Sequence, residues 1–128
     1  MSYGRTVKVA LPYEIAVGRV KEALKAQGFG VLSEIDIAAT LREKVGSTME
    51  PYLILGACNP QLASRALDVE PDIGLLLPCN VVVRVAEGAT LVQALDPQVI
   101  VQVPGNERLQ PVAQEAGERL QAALDSLA

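Results

Sequence analysis

Two short stretches hold the residue types best suited to chemistry: Ile54-Leu55-Gly56-Ala57-Cys58-Asn59-Pro60 and Leu77-Pro78-Cys79-Asn80. They contain both cysteines of the chain, each followed by asparagine. A thiol can act as a nucleophile or soft ligand once deprotonated, and an amide offers donors and an acceptor to a carbonyl, amide or carboxylate. Asn59 and Pro60 are a helix N-cap and first-turn pair. Cys58 therefore stands beside a helix N-terminus, whose partial positive charge favours a thiolate. Against this, an unpaired cysteine at a strand end is often only a small buried hydrophobe. Cys79 follows Pro78 at a strand irregularity, which can re-aim a side chain into a site or serve curvature alone. For Asn59 capping competes with ligand contact, and for Asn80 turn or bulge hydrogen bonding does.

Other chemistry is thinner. Glu34 and Asp36 are carboxylates two residues apart on a strand, so they share a face. Such a pair can move protons or hold a cation, but a solvated face and a helix cap account for it as well. Arg65, one turn into the helix after Cys58, is placed to meet either carboxylate, an anionic ligand or solvent. The cysteines are twenty-one positions apart, unlike a metal or redox Cys-x-x-Cys motif, and the chain has no histidine. No metal site and no cofactor is expected.

The elements that must position these residues follow from hydrophobic spacing. Arg5 to Leu11 alternates as a strand with one wet face. Tyr13, Ala16, Val17, Val20, Ala23 and Leu24 form a helical stripe, closed by Gly28. Phe29 to Asp36 reads as a strand with Phe29, Val31, Ser33 and Ile35 on one face. Asp36 caps a short helix from Ile37 to Val45, closed by Gly46. Tyr52 to Cys58 is apolar throughout, a central strand covered on both faces, and Gly56 within it marks a close approach. The helix opened by Asn59 runs to about Val69. Leu75 to Val85 reads as strand broken by Pro78, and Glu87-Gly88 turns the chain into a strand at 90 to 95. Pro97 to about Val103 holds a helical turn or two, and a terminal helix runs from about Leu109 to Leu127, with Gly117 costing it roughly 1 kcal/mol against alanine. The order is strand, helix, four strands with short helices in the loops, helix. The fold class is α+β: a mainly antiparallel five-stranded sheet with the long helices at 12 to 27 and 109 to 127 on one face.

Composition narrows the function classes. A length of 128 residues suits one domain, 1–128, and half of the residues are apolar with few aromatics. Net charge is -4 without a basic run, which disfavours nucleic acid. No signal-peptide pattern or membrane-length apolar run is present, so a cytoplasmic protein with reduced thiols is expected, with no membrane partner.

Gly28-Phe29-Gly30-Val31-Leu32-Ser33-Glu34-Ile35-Asp36, then Leu55-Gly56-Ala57-Cys58-Asn59-Pro60 and Leu75-Leu76-Leu77-Pro78-Cys79-Asn80-Val81-Val82-Val83, closely resemble one family in order and spacing. It is the domain of unknown function numbered 302. The resemblance covers nearly the whole chain. It implies a TATA-box-binding-protein-like arrangement and no activity, and dimers occur in the family. The likeness of fold to a DNA-binding protein carries no function with it.

Three functions compete. The first is a small-molecule-binding module with a site at Gly56, Cys58, Asn59, Cys79, Asn80 and Glu34. The second is a homodimeric assembly protein without chemistry, because the apolar content exceeds what two helices on one face can cover. The third is a thiol-dependent enzyme or redox carrier using Cys58, placed last for want of a base. For the first, the strands ending at Cys58 and beginning near Leu75 must be antiparallel partners, which brings the thiols together beside the room that Gly56 leaves. A register slip of one residue would turn one thiol to the opposite face.

Overall fold

The computed structural model describes residues 2–128. Five strands, β1 (Gly4–Val9), β2 (Gly30–Asp36), β3 (Tyr52–Cys58), β4 (Cys79–Ala86) and β5 (Ala89–Leu95), form one antiparallel sheet in the order β1-β5-β4-β3-β2. The longest helices are α1 (Tyr13–Ala26) and α5 (Gln110–Asp125), with α2 (Ile37–Val45), α3 (Pro60–Val69) and α4 (Val99–Gln102) between strands or before α5. The α+β class and the order of elements are those expected from hydrophobic spacing. Among the described residues no helix is long and apolar enough to cross a membrane.

The α1 stripe buries Ala16, Val20 and Leu24, and the backbone turns away at Gly28 with a left-handed φ of 84°. Leu120, Ala123 and Leu124 do the same for α5. They meet the alternate residues Leu53, Leu55 and Ala57 of β3, Val81 and Val83 of β4, and Val92 and Ala94 of β5. A second apolar cluster lies beyond the sheet end. There Leu62 and Ala66 of α3, Ile73, Ile100 and Leu109 pack against Val112, Ala113 and Ala116 at the start of α5. Each fully buried aliphatic side chain contributes about 1.5–3 kcal/mol.

Three local expectations are corrected. The segment from Leu75 to Leu77 is not strand. A 3₁₀-helix spans Pro71–Leu76, the Leu77–Pro78 peptide bond is cis, and β4 begins only at Cys79. Proline in the first turn and the Leu77 N–H donated to the Gly74 carbonyl, 3.3 Å, favour the coil, and Ile73 anchors it in the second cluster. In β2 the alternation breaks at a bulge. Val31 stands opposite Ala57 and Ser33 opposite Gly56, so Leu32 is the extra residue and Val31 and Ser33 face opposite ways. The side of β3 away from α1 and α5 carries Tyr52 and Ile54, half-buried rather than buried, so β3 is not covered equally on both faces.

Gly117 has a structural use that helix propensity hides. The Arg5 guanidinium donates to the Gly117 carbonyl at 2.6 Å, and a β-carbon at Gly117 would come within 3.0 Å of Arg5 Nη2. Glycine there lets β1 hold the middle of α5 through Arg5. We expect Gly117→Ala to recover less than the roughly 1 kcal/mol of helix propensity, and Gly117→Ala combined with Arg5→Met to recover more of it than Gly117→Ala does in the wild-type background; urea unfolding of the variants measures both.

Candidate functional site

The β3–β4 ladder runs from Tyr52 opposite Arg84 to Ala57 opposite Cys79. Cys58 is thus one residue past the partner of Cys79, the single-residue offset that separates faces within a regular ladder. Here the ladder ends, and both cysteines line one cavity of about 350 Å³. Its walls come from the sheet end (Phe29, Leu32, Ala57, Cys58, Cys79) and from α3 (Leu62, Ala63, Ala66, Leu67). Gly74, Leu77 and Pro78, then Pro97 and Ile100, then Val112 and Ala116 of α5 close it. The cavity lies at the seam between the two apolar clusters, bounded by members of each.

The residues expected to form a site divide between the two sheet faces. Cys58, Asn59 and Cys79 come together at the cavity wall. Gly56 and Asn80 stand opposite each other in the ladder, on the face turned away from α1 and α5. The room beside Gly56 is taken: a β-carbon there would collide with the Ser33 hydroxyl and come within 2.9 Å of Pro78 Cγ. The close approach that Gly56 signalled is therefore a contact within the chain and leaves no space for a ligand. Asn80 is exposed. Glu34 is removed from the cavity, its carboxylate accepting from Lys21 Nζ of α1 at 2.9 Å. Asp36 caps α2 by accepting the Ala39 N–H at 2.9 Å. Arg65 pairs with Glu115, which Arg119 also holds, and the Arg65 hydrogen bond foremost keeps the Glu115 carboxyl below its usual range.

Asn59 is buried, and its Oδ1 accepts the Leu62 N–H at 3.2 Å, so the side chain serves as the α3 cap. Asn59→Ala should cost about 1 kcal/mol, and Asn59→Ser, an equally good cap, should restore most of it. Thermal denaturation of both variants checks this, and an equal loss in both would mean that the amide does more than cap.

Both thiols are free. Cys58 is half-buried and Cys79 buried. Burial first, and the neighbouring Cys58 second, push the Cys79 thiol up to about 11. Cys79 is consequently a protonated apolar wall residue at neutral pH. Around the cavity no lining side chain is charged, so a thiol here has no carboxylate or amine beside it to take its proton.

Residues 5–127 match the family described as domain of unknown function DUF302. The chain belongs to that family. A crystal structure of an uncharacterized conserved protein DUF302 from Bacillus stearothermophilus is similar to it at 33% identity and a TM-score of 0.94, each chain covered in full. No curated protein matches the chain. The structural likeness covers the sheet end, α3 and the start of α5 along with the rest of the fold, and the family description names no activity.

Sequence reading missed most of the cavity. Leu62, Ala66, Val112 and Ala116 stand at helical spacing in the sequence, and nothing in it says which helix faces converge. The sequence places Leu32 on the strand face of Glu34 and Asp36, and only the bulge shows it as the extra residue of β2.

Proposed function

We propose that this DUF302 chain is a small-molecule-binding module whose site is the seam cavity, with Cys58, Asn59 and Cys79 at its sheet-end wall. The observation that carries the reading is a preformed apolar cavity of about 350 Å³ between two packed clusters. Its size lies in the range of small-molecule sites, and its lining is apolar with few polar groups, as such sites are. Binding, rather than thiol catalysis, suits a lining without a base. Alkylation with iodoacetamide tests it. In the folded protein at neutral pH, Cys58 should react and Cys79 should not. A molecule that co-purifies, detected by native mass spectrometry, should slow Cys58 alkylation and raise the unfolding temperature. Equal reactivity with and without every co-purifying molecule would remove the support for the site.

A second observation favours self-association as a further reading. Ile35, Ile54, Val82 and Leu91 lie on the sheet face turned away from α1 and α5. Two of its polar side chains are tied to neighbours within it, because Arg84 Nε donates to Gln93 Oε1 at 2.8 Å and Gln93 Nε2 donates to Thr6 Oγ1 at 3.1 Å. An apolar strip of this kind is a candidate for coverage by another copy, and a two-fold contact between copies is the commonest way to cover it. Light scattering should return a dimer mass for the wild type and a monomer mass for Val82→Asp. A wild-type monomer at micromolar concentration sinks this second reading and leaves the first intact.

A further inference from the structure

We infer that the occupant of the cavity is the long apolar chain of an amphiphile, an acyl or alkyl tail inserted end-on with its polar end left in water; this rests on the small-molecule reading above. The lining decides the chemistry of the buried part. It has no charged side chain, and its one amide, Asn59, has its oxygen committed to the α3 cap. A sugar, nucleotide or amino acid would bury hydroxyls or charges there with few partners, each left unpaired at a desolvation cost. A hydrocarbon chain loses nothing of this kind.

The rim decides the shape. Leu32 and Leu67 line the cavity yet are 70% and 41% exposed. Exposed leucines scattered singly need no explanation, but two that line the same apolar cavity extend its surface outward. Leu32 reaches that position because the β2 bulge makes it the unpaired extra residue, and bulges are the usual device for re-aiming one side chain. A compact ligand would fill the interior and leave this rim unused. A chain that begins inside and leaves past Leu32 and Leu67 uses both.

The test is displacement of cis-parinaric acid from the full chain by saturated fatty acids from hexanoic to hexadecanoic acid, with Cys58 alkylation followed in parallel. Affinity should rise roughly fourfold per added methylene until the cavity and rim are covered, then level off. The longer acids should protect Cys58. Ala63→Phe, which places a ring on the cavity wall, should bring the plateau to a shorter chain. Should that variant fail to fold, Leu32→Ser at an exposed rim position should weaken the long acids several-fold and leave the short ones unchanged. Transfer of a pyrene-labelled acyl chain from phosphatidylcholine vesicles identifies a membrane lipid as the source, whereas uptake of free acids alone identifies the free acid, and both agree with the inference. Affinity independent of chain length overturns it. If a compact aromatic compound such as naphthalene protects Cys58 while no fatty acid does, the acyl chain is wrong and the cavity remains a site. If a co-purifying molecule raises the unfolding temperature without protecting Cys58, the cavity itself is not the site.

Discussion

Leu55→Ala should lower the stability of the chain by about 2–5 kcal/mol, the loss expected when a fully buried leucine is cut to alanine in a core that relaxes only partly. Leu55 has no solvent exposure, stands between Glu34 of β2 and Val81 of β4, and belongs to the cluster that joins the sheet to α1 and α5. Its neighbour Ile54 projects to the other face and is half-buried. Ile54→Ala should therefore cost less than half as much in dilute solution, where copies are apart. Urea unfolding of the two variants, over a range of protein concentration, separates the faces. If Ile54→Ala costs as much as Leu55→Ala only at high concentration, the second face is covered by another copy. Equal losses at every concentration would contradict the one-sided core described above.

What the sequence made legible is what local physics determines. The stripes of α1 and α5 repeat at helical spacing and meet the sheet as that spacing requires. The caps at Asp36 and Asn59 are written in residue type and confirmed by their hydrogen bonds to Ala39 and Leu62. Less legible were features decided by what comes from elsewhere in the chain. Gly56 correctly announced a close approach, but not that Ser33 and Pro78 make it. Leu75 to Leu77 have strand-like residues, yet Ile73 buried in the second cluster holds the segment as a 3₁₀-helix. The candidate site divides along the same line. Cys58, Asn59 and Cys79 meet because adjacent strands flank the α3 connection, a local consequence of antiparallel pairing. Gly56 and Asn80 belong to the other face, which an offset of one residue in the register is enough to decide. The remaining walls depend on helices from 97 to 116 folding back over α3, a long-range event without a residue-type signature.

The Cys79 thiol should make stability fall between about pH 9 and pH 11. Burial disfavours the thiolate, so the folded chain holds this proton up to about 11, against an ordinary value of 9.0 in the unfolded chain. Below pH 9 both states are protonated, and the thiol contributes no pH dependence. As pH rises past 9 the unfolded state loses the proton first, binds fewer protons than the folded state, and is favoured. By pH 11 the loss is about 2–3 kcal/mol, at about 1.4 kcal/mol for each pKa unit between the states. Lysines and tyrosines titrate in the same window, so the measurement is a difference between wild type and Cys79→Ala. At pH 8 the variant should be the less stable, since it removes a buried side chain from the wall. By pH 11 that gap should shrink by about 2–3 kcal/mol, because the variant has no thiol to deprotonate. A wild-type-to-Cys79→Ala gap that stays constant from pH 8 to 11 would show that water reaches Cys79 and that the sheet-end wall of the cavity is open. If a bound acyl chain seals the cavity, adding the tightest-binding fatty acid should deepen the pH dependence of the wild type and leave that of Cys79→Ala unchanged.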